Sequence, residues 1–178
     1  MEKSVLGIME TQAQVESVIS QLQSRGFPPS SISVLMPDTK SSRDFAHEHH
    51  TKAPEGAIAG VGVGGVLGGT FGLLAGIGAL AIPGVGPLIA AGPILAAMSG
   101  AAAGATLGGV GGALIGLGIP EIEAKRYESK INGGNLLIAV HVDDSDRQKL
   151  AEVELKEAGA HDITTTMEAS VPKNRNVT

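Results

Sequence analysis

Residues 136–167, LLIAVHVDDSDRQKLAEVELKEAGAHDITTTM, have the pattern of a complete β-α-β unit. Apolar residues alternate through 136–142, which predicts a strand with one strongly apolar face. Ser145 and Gln148 have the spacing of a capping box, and this predicts a helix start. Gly159 predicts the helix end. The buried side of the helix is expected at Leu150, Val153, Leu155 and Ala158. A second strand is expected at Ile163, Thr165 and Met167.

The N-terminal residues repeat this plan. Residues 5–9 predict a strand, and Thr11 with Gln14 forms a second capping box. Gly26 ends the helix, and alternation through 32–36 predicts the next strand. Equivalent positions of the two units are 133 or 134 residues apart, as the pairs Gly26/Gly159 and Thr11/Ser145 show. Two such units predict an α+β fold, a split β-α-β (ferredoxin-like) domain with four antiparallel strands.

The two halves are separated by an uncharged stretch. Residues 56–120 contain no Asp, Glu, Lys, Arg or His and hold 21 of the 26 glycines. Glycine recurs at every fourth position in two series, which are Gly56, Gly60, Gly64, Gly68, Gly72 and Gly76, and then Gly100, Gly104, Gly108, Gly112 and Gly116. Residues four apart share one helix ridge, so each series predicts a groove for close helix packing, a glycine zipper.

This spacing predicts a helical hairpin over 57–82 and 94–118. At about 1.5 Å per residue each helix would span roughly 37–39 Å, enough to cross a hydrocarbon core of about 30 Å. The second and third strands of the ferredoxin-like fold meet at one end of the sheet, so an insert must return where it leaves. Lys and Arg flank the hairpin on both sides. A transmembrane hairpin with both termini cytoplasmic is therefore expected.

Two other structures of the insert remain open. The hairpin could be buried between the subunits of a soluble oligomer, which the absence of Trp and of a Tyr belt favours. It could also be a flexible glycine-rich coil, as the elastin-like residues 83–86 indicate. The regular four-residue spacing favours helices over a coil.

The predicted organisation has six parts. They are a first β-α-β half at 1–38, a polar linker at 39–55, the apolar hairpin at 56–120, an amphipathic connecting helix at 121–134, a second β-α-β half at 135–170 and a tail at 171–178. The connecting helix places Ile122, Tyr127 and Ile131 against basic residues. That pattern is typical of an interfacial helix or of an ordinary surface helix.

The order of several motifs resembles the bacterial general stress proteins, the heat-induced and low-temperature-induced glycine-zipper proteins. The motifs are Ala81-Ile82-Pro83-Gly84-Val85-Gly86-Pro87 between the two glycine series, then Gly118-Ile119-Pro120-Glu121 and Lys125-Arg126-Tyr127. Gly133-Gly134, the strand after it and Ile32-Ser33-Val34-Leu35 extend the resemblance over most of the chain. The resemblance implies a membrane-associated protein made under stress, with no catalytic residues to carry over. Together with the predicted hairpin, it gives the bacterial cytoplasmic membrane as the expected location.

Residues that could carry chemistry are few. The chain has no Cys, which excludes thiolate chemistry and Cys-based zinc sites, and its net charge of −5 argues against nucleic-acid binding. Gly60-x-Gly62-x-x-Gly65 lacks the strand and the acidic residue that a dinucleotide site needs. His47, His49 and His50 are weak metal-ligand candidates in the polar linker. His141 and His161 are expected to be surface or edge residues.

The sequence therefore predicts a non-enzymatic membrane protein that self-associates through its zippers to organise or stabilise the membrane. The expected partners are membrane lipid and further copies of the chain, as a homo-oligomer. No cofactor is expected. A soluble assembly with the hairpins buried between subunits, a pore-forming protein and a ligand-sensing membrane module are the alternatives.

Overall fold

The computed structural model describes residues 3–37, 77–82, 86–94 and 109–167. The first half contains β1 (Lys3–Met9), α1 (Gln12–Ser24), a 3-10 turn (Pro29–Ser31) and β2 (Ile32–Pro37). The insert contributes β3 (Ile77–Ile82), β4 (Gly86–Ala91) and α2 (Gly109–Gly116). The chain continues through α3 (Glu121–Asn132), β5 (Leu136–Val142), α4 (Ser145–Glu157) and β6 (His161–Met167).

The six strands form one sheet in the order β3-β4-β2-β5-β1-β6, and every neighbouring pair is antiparallel. The strands predicted from the two β-α-β halves, β2-β5-β1-β6, have the order of a ferredoxin-like sheet. Leu35 pairs with Leu137, so β2 ends at the sheet end where β5 begins. The split β-α-β domain is therefore confirmed.

Both faces of the sheet are buried. The first face packs against α1 and α4, through residues that include Val5, Val34, Ile138, Ile19 and Leu155. The second face packs against α2 and α3, through residues that include Leu6, Leu35, Leu137, Val110 and Tyr127. Alternate residues of a strand point to opposite faces, and this explains why the central strands are apolar at nearly every position.

The helices of the two halves begin as the local sequence allows. The predicted capping box of α1 is present, since Gln14 N donates to Thr11 Oγ1 and the Gln14 side chain accepts from Thr11 N. The predicted box at Ser145 and Gln148 is wrong by one residue. The N-cap of α4 is Asp144, whose carboxylate accepts from Arg147 N at 2.7 Å.

The buried side of α4 also differs from the prediction. Ala151, Glu154 and Leu155 are buried, whereas Val153 is 48% exposed. Arg25 at the end of α1 has its Nε 2.8 Å from the Glu154 carboxylate. This ion pair explains why a charged residue is buried between the two helices of the first face.

The insert differs most from the prediction. The helix predicted over 57–82 is wrong over its last six residues, which form β3, and the connection expected after it contains β4. Within 94–118, residues 109–116 are helical as predicted. Gly78 costs a helix about 1 kcal/mol relative to alanine, and Pro83 directly after the segment disfavours the helical conformation at Ile82. The free edge of β2 offers backbone hydrogen bonds to β4 instead, from Val34↔Ala91 to Pro37↔Leu88.

This connectivity limits how the insert could meet a membrane. Ile94 and Val110 both lie in the second-face core, and sixteen peptide steps join them. Fully extended, these steps reach about 53–58 Å, less than the roughly 60 Å of a return trip across a hydrocarbon core. Pro37 and Ile77 likewise belong to one sheet, and the chain between them has one apolar run, 56–76. No helix within the described residues is long and apolar enough to span a membrane.

The connecting helix α3 packs its apolar side on the sheet. Ala124, Tyr127 and Ile131 are buried in the second-face core, whereas Ile122 is 78% exposed. The Tyr127 hydroxyl donates to the Asp162 carbonyl oxygen at 2.8 Å and ties α3 to the start of β6. The helix was expected at 121–134 and is found at 121–132, with most of its apolar stripe used within the domain.

Candidate functional site

A row of polar side chains crosses the second face near one end of the sheet. Ser4 on β1 lies opposite His141 on β5 and opposite Thr166 on β6. Ser33 on β2 lies one diagonal step from His141, because Ser33 pairs with Ala139. All four residues lie on the face that otherwise holds Leu6, Leu35 and Leu137. The row is thus a polar group set in an apolar surface.

The His141 ring connects three strands. Its Nδ1 is 3.0 Å from Ser4 Oγ, and its Nε2 is 2.8 Å from Ser33 Oγ. In a neutral imidazole one ring nitrogen donates and the other accepts, whereas in a charged ring both nitrogens donate to the serine hydroxyls. At the outer end of the row, the Thr166 hydroxyl donates to the Gly118 carbonyl oxygen at 3.2 Å. These contacts satisfy polar groups that would be costly to bury alone.

The same row of polar side chains also contacts the backbone of the segment that leads from β4 to the second face. Ile94 N donates to Ser33 Oγ at 3.0 Å. Two residues earlier, Gly92 has φ +82°, and a Cβ there would overlap the Ile32 carbonyl oxygen and lie 2.9 Å from Ser33 Cα. We call Gly92–Ile94 the strap. Only glycine fits at its first position, and its last residue is fixed through Ser33 to His141.

A serine next to a histidine is also the arrangement of a nucleophile and its base. A nucleophile must reach its substrate, however, and the side chains here are enclosed. Ser33 is 0% exposed and Ser4 is 4% exposed. The arrangement is suited to holding β1, β2, β5 and the strap together.

A cleft of about 560 Å³ opens beside this row. It is bounded by the 3-10 turn, the end of β5, the start of α4 and the strap, through Pro28, Ser30, Ser31, Pro93, His141, Val142, Asp143 and Arg147. Arg147 lies over the Phe27 ring, 5.2 Å from its centroid, and donates to the Gly26 carbonyl oxygen at 3.3 Å. One carboxylate and one guanidinium line the cleft, so its charge is mixed.

The glycines predicted as packing positions fall into two groups. Gly112 and Gly116 lie in α2, where Gly112 is half-buried and Gly116 is exposed. The remaining nine lie outside the described residues, and they are Gly56, Gly60, Gly64, Gly68, Gly72, Gly76, Gly100, Gly104 and Gly108. The zipper prediction is untested at these nine positions. The metal-ligand candidates His47, His49 and His50 also lie outside the described residues.

Within α2, the glycine with a close contact to another helix is Gly111, which lies between the predicted positions Gly108 and Gly112. A Cβ at Gly111 would lie 2.7 Å from Glu128 Oε2 on α3. Glu128 is long and flexible, so this contact could relax. This close contact between α2 and α3 is therefore made by a glycine that does not belong to the predicted series.

Sequence reasoning missed the role of His141, which it placed at a surface or edge. The sequence held one signal for this role, the position of each polar residue along its strand. Ser4, Ser33 and His141 are each a polar residue that shares a strand face with an apolar residue two positions away, Leu6, Leu35 and Ala139 respectively. Only the pairing of β1, β5 and β2 brings them together. His161 agrees better with its prediction, because it is exposed on the edge strand and its Nε2 lies 3.4 Å from a Glu10 carboxylate oxygen.

The chain matches no protein-family profile, no curated protein and no solved structure.

Proposed function

We propose that this chain is a non-enzymatic, membrane-associated protein that forms homo-oligomers through its uncharged glycine-rich stretch. The supporting observation is the stretch itself, 65 residues without a charged side chain. After β3, β4 and α2 are assigned to the domain, residues 56–76 and 95–108 remain as its apolar pieces. These two pieces are the proposed contacts with lipid and with other copies.

Both ends of each apolar piece lead back to the domain, directly or, before residue 56, through the polar residues 38–55. Residues 56–76 lead directly into β3, and residues 95–108 run from the strap to α2. Because each piece returns to the sheet it left, the proposed membrane contact lies along one surface of the bilayer. The proposed location is the cytoplasmic face of the bacterial membrane. The resemblance to general stress proteins adds the expectation that the cell makes the protein under stress.

A second candidate is the soluble oligomer with the apolar pieces buried between subunits. Residues 56–76 and 95–108 both return to the same sheet, and this favours the soluble oligomer. A second copy of the chain could cover these apolar residues as well as lipid could. The two candidates share self-association and differ in lipid binding. Flotation of the full chain with anionic liposomes, followed by an alkaline carbonate wash, distinguishes them. Retention on the liposomes supports the membrane protein, and release as a discrete oligomer supports the soluble assembly.

Self-association itself is tested at the centres of the two glycine series. If the proposed zipper forms, Leu at Gly68 or Gly104 overfills its groove, and overpacking costs about 1–3 kcal/mol per site. Leu is also more apolar than Gly, so lipid partition should increase. We therefore expect Gly68→Leu and Gly104→Leu to give smaller species by light scattering and stronger flotation. Val63→Leu is the matched control. Unchanged assembly in both glycine variants would contradict the proposal.

A further inference from the structure

The sheet has two edges of very different character. The edges are β3 and β6, and the other four strands lie between them. The outer side of an edge strand presents unpaired N–H and C=O groups, which can pair with another strand. Proteins commonly blunt such edges with charges and bulges. Comparing the two edges therefore indicates where another strand can bind.

The β6 edge is blunted. Its pairing with β1 shifts register between Leu6 and Ile8, and Asp162 has φ +50°. Its first two residues are His161 and Asp162. Each contacts an oppositely charged or ionisable residue, Glu10 at 3.4 Å for His161 and Arg126 at 3.5 Å for Asp162. The irregular backbone and the polar start of β6 disfavour an added strand.

The β3 edge has none of these features. Its sequence is Ile-Gly-Ala-Leu-Ala-Ile, with no charged residue and no Pro. It pairs with β4 in one unbroken register, from Ile77↔Ala91 to Ile82↔Gly86. Among the residues that the structure describes, no strand pairs with its other side. An uncharged, regular edge of six residues is a strong site for strand addition.

We propose that β3 pairs with β3 of a second copy of this chain, antiparallel, to form a continuous twelve-stranded sheet. A strand without charges meets no like-charge repulsion from its own copy. A two-fold axis gives both copies the same contacts, as in most homodimers. The outer edges of this dimer are two copies of the blunted β6. Pairing therefore ends at two subunits and does not continue into a fibre.

This inference rests on the proposed self-association and adds a surface that is separate from the glycine series. The test introduces a charge at the centre of β3. With Ala79→Lys, two like charges lie opposite or diagonal across the dimer, at Cβ separations of about 5–8 Å. We expect the dimer dissociation constant of the full chain, measured by sedimentation, to rise about tenfold or more. Ala79→Glu should do the same, and an equimolar mixture of the two variants should associate again.

Met167→Lys is the matched control, because Met167 is 63% exposed on the blunted edge and its replacement should leave the dissociation constant unchanged. Hydrogen exchange of the wild-type chain adds a measurement that needs no variant. The amides of residues 77–82 should become more protected as concentration rises through the dissociation constant. Equal protection at all concentrations would mean that the chain covers its own edge, and would overturn the inference.

The remaining outcomes separate the two proposals. If Gly68→Leu weakens association while both Ala79 variants and their mixture behave as wild type, the β3 interface is wrong and the glycine contact stands. If only the Ala79 variants weaken association and their mixture restores it, the β3 interface stands and the glycine contact is wrong.

Discussion

At the scale of single residues, the second face depends on polar side chains whose partners lie far away in sequence. His141 contacts Ser33 across 108 residues and Ser4 across 137. Local pattern predicts that each of these positions lies in a strand, because alternation is local. It does not predict their contacts, because these follow from the sheet order. This is why His141 could be assigned to a strand but not to its role.

Tyr127 gives a direct probe of the same face. Burial raises the pKa of its hydroxyl, while a hydrogen bond with Thr164 acts in the opposite direction more weakly. The raised pKa means that the fold favours the neutral phenol. This contribution to stability is complete below about pH 10, the ordinary pKa, and is lost as pH rises through the folded-state pKa.

Tyr127 is the only tyrosine in the chain, so an absorbance titration reports on it alone. We expect its ionisation midpoint to lie above that of the urea-unfolded chain. Tyr127→Phe should lower the free energy of unfolding by about 1 kcal/mol at neutral pH, through loss of the hydrogen bond to Asp162. It should also reduce the loss of stability at alkaline pH. Equal midpoints in the folded and unfolded chain would contradict the burial of this hydroxyl.

At the scale of elements, the sequence predicts those whose local signals and packing agree. α1 has a capping box and its apolar face, Val15, Val18, Ile19 and Leu22, is buried as expected. In α4 two adjacent residues, Asp144 and Ser145, can both cap a helix. Pattern alone favoured Ser145 because Gln148 follows three residues later. The structure places the cap at Asp144, and Glu154 of the same helix lies on its buried side opposite Arg25.

The cap of α4 is open to a simple comparison. Asp144→Ala removes the acceptor for Arg147 N and should lower the free energy of unfolding by about 1 kcal/mol. Ser145→Ala is the matched control, and it should change stability by less than about 0.5 kcal/mol because Ser145 is an exposed first-turn residue. Urea denaturation measures both. A larger effect at Ser145 would place the helix start one residue later.

The insert shows where periodicity misleads. A glycine at every fourth position fits a helix ridge, but glycine also weakens the helix that it marks. Residues 77–91 form a β-hairpin in place of a helix, and this hairpin adds two strands to the sheet beside β2. The backbone hydrogen bonds of a hairpin do not depend on a four-residue side-chain spacing. Near the end of the stretch, glycine lies in α2, where Val110, Ala113 and Leu114 pack into the second-face core.

At the scale of the whole molecule, the insert both interrupts the ferredoxin-like domain and completes it. Leu88, Ala90, Ile94, Val110 and Leu114 of the insert are all buried on the second face. The two β-α-β halves alone would leave much of that face uncovered. The sequence predicted the four-stranded sheet and the site of the interruption, because both follow from the repeat. It did not predict the covering role of the insert, because that role depends on contacts between distant apolar residues.

Two deletions separate these roles. The first replaces residues 39–76 by a ten-residue Gly/Ser linker. Pro37 and Leu80 both pair with Leu88, on either side of it, so Pro37 and Ile77 are about 14 Å apart, within the reach of this linker. This variant should unfold cooperatively with the second-face core intact. It should also lose the association attributed to Gly68.

The second deletion replaces residues 39–118 by a twenty-residue linker and removes β3, β4 and α2 together. Six buried side chains of the second-face core are lost with them, so the free energy of unfolding should be at least about 3 kcal/mol lower than in the first variant. Binding of a hydrophobic dye should rise, because Leu35 and Leu137 become exposed. Urea denaturation of the two variants measures this difference. Equal stability and equal dye binding would show that the second face does not need the insert. The stable unit would then be the four-stranded domain that the repeat alone predicts.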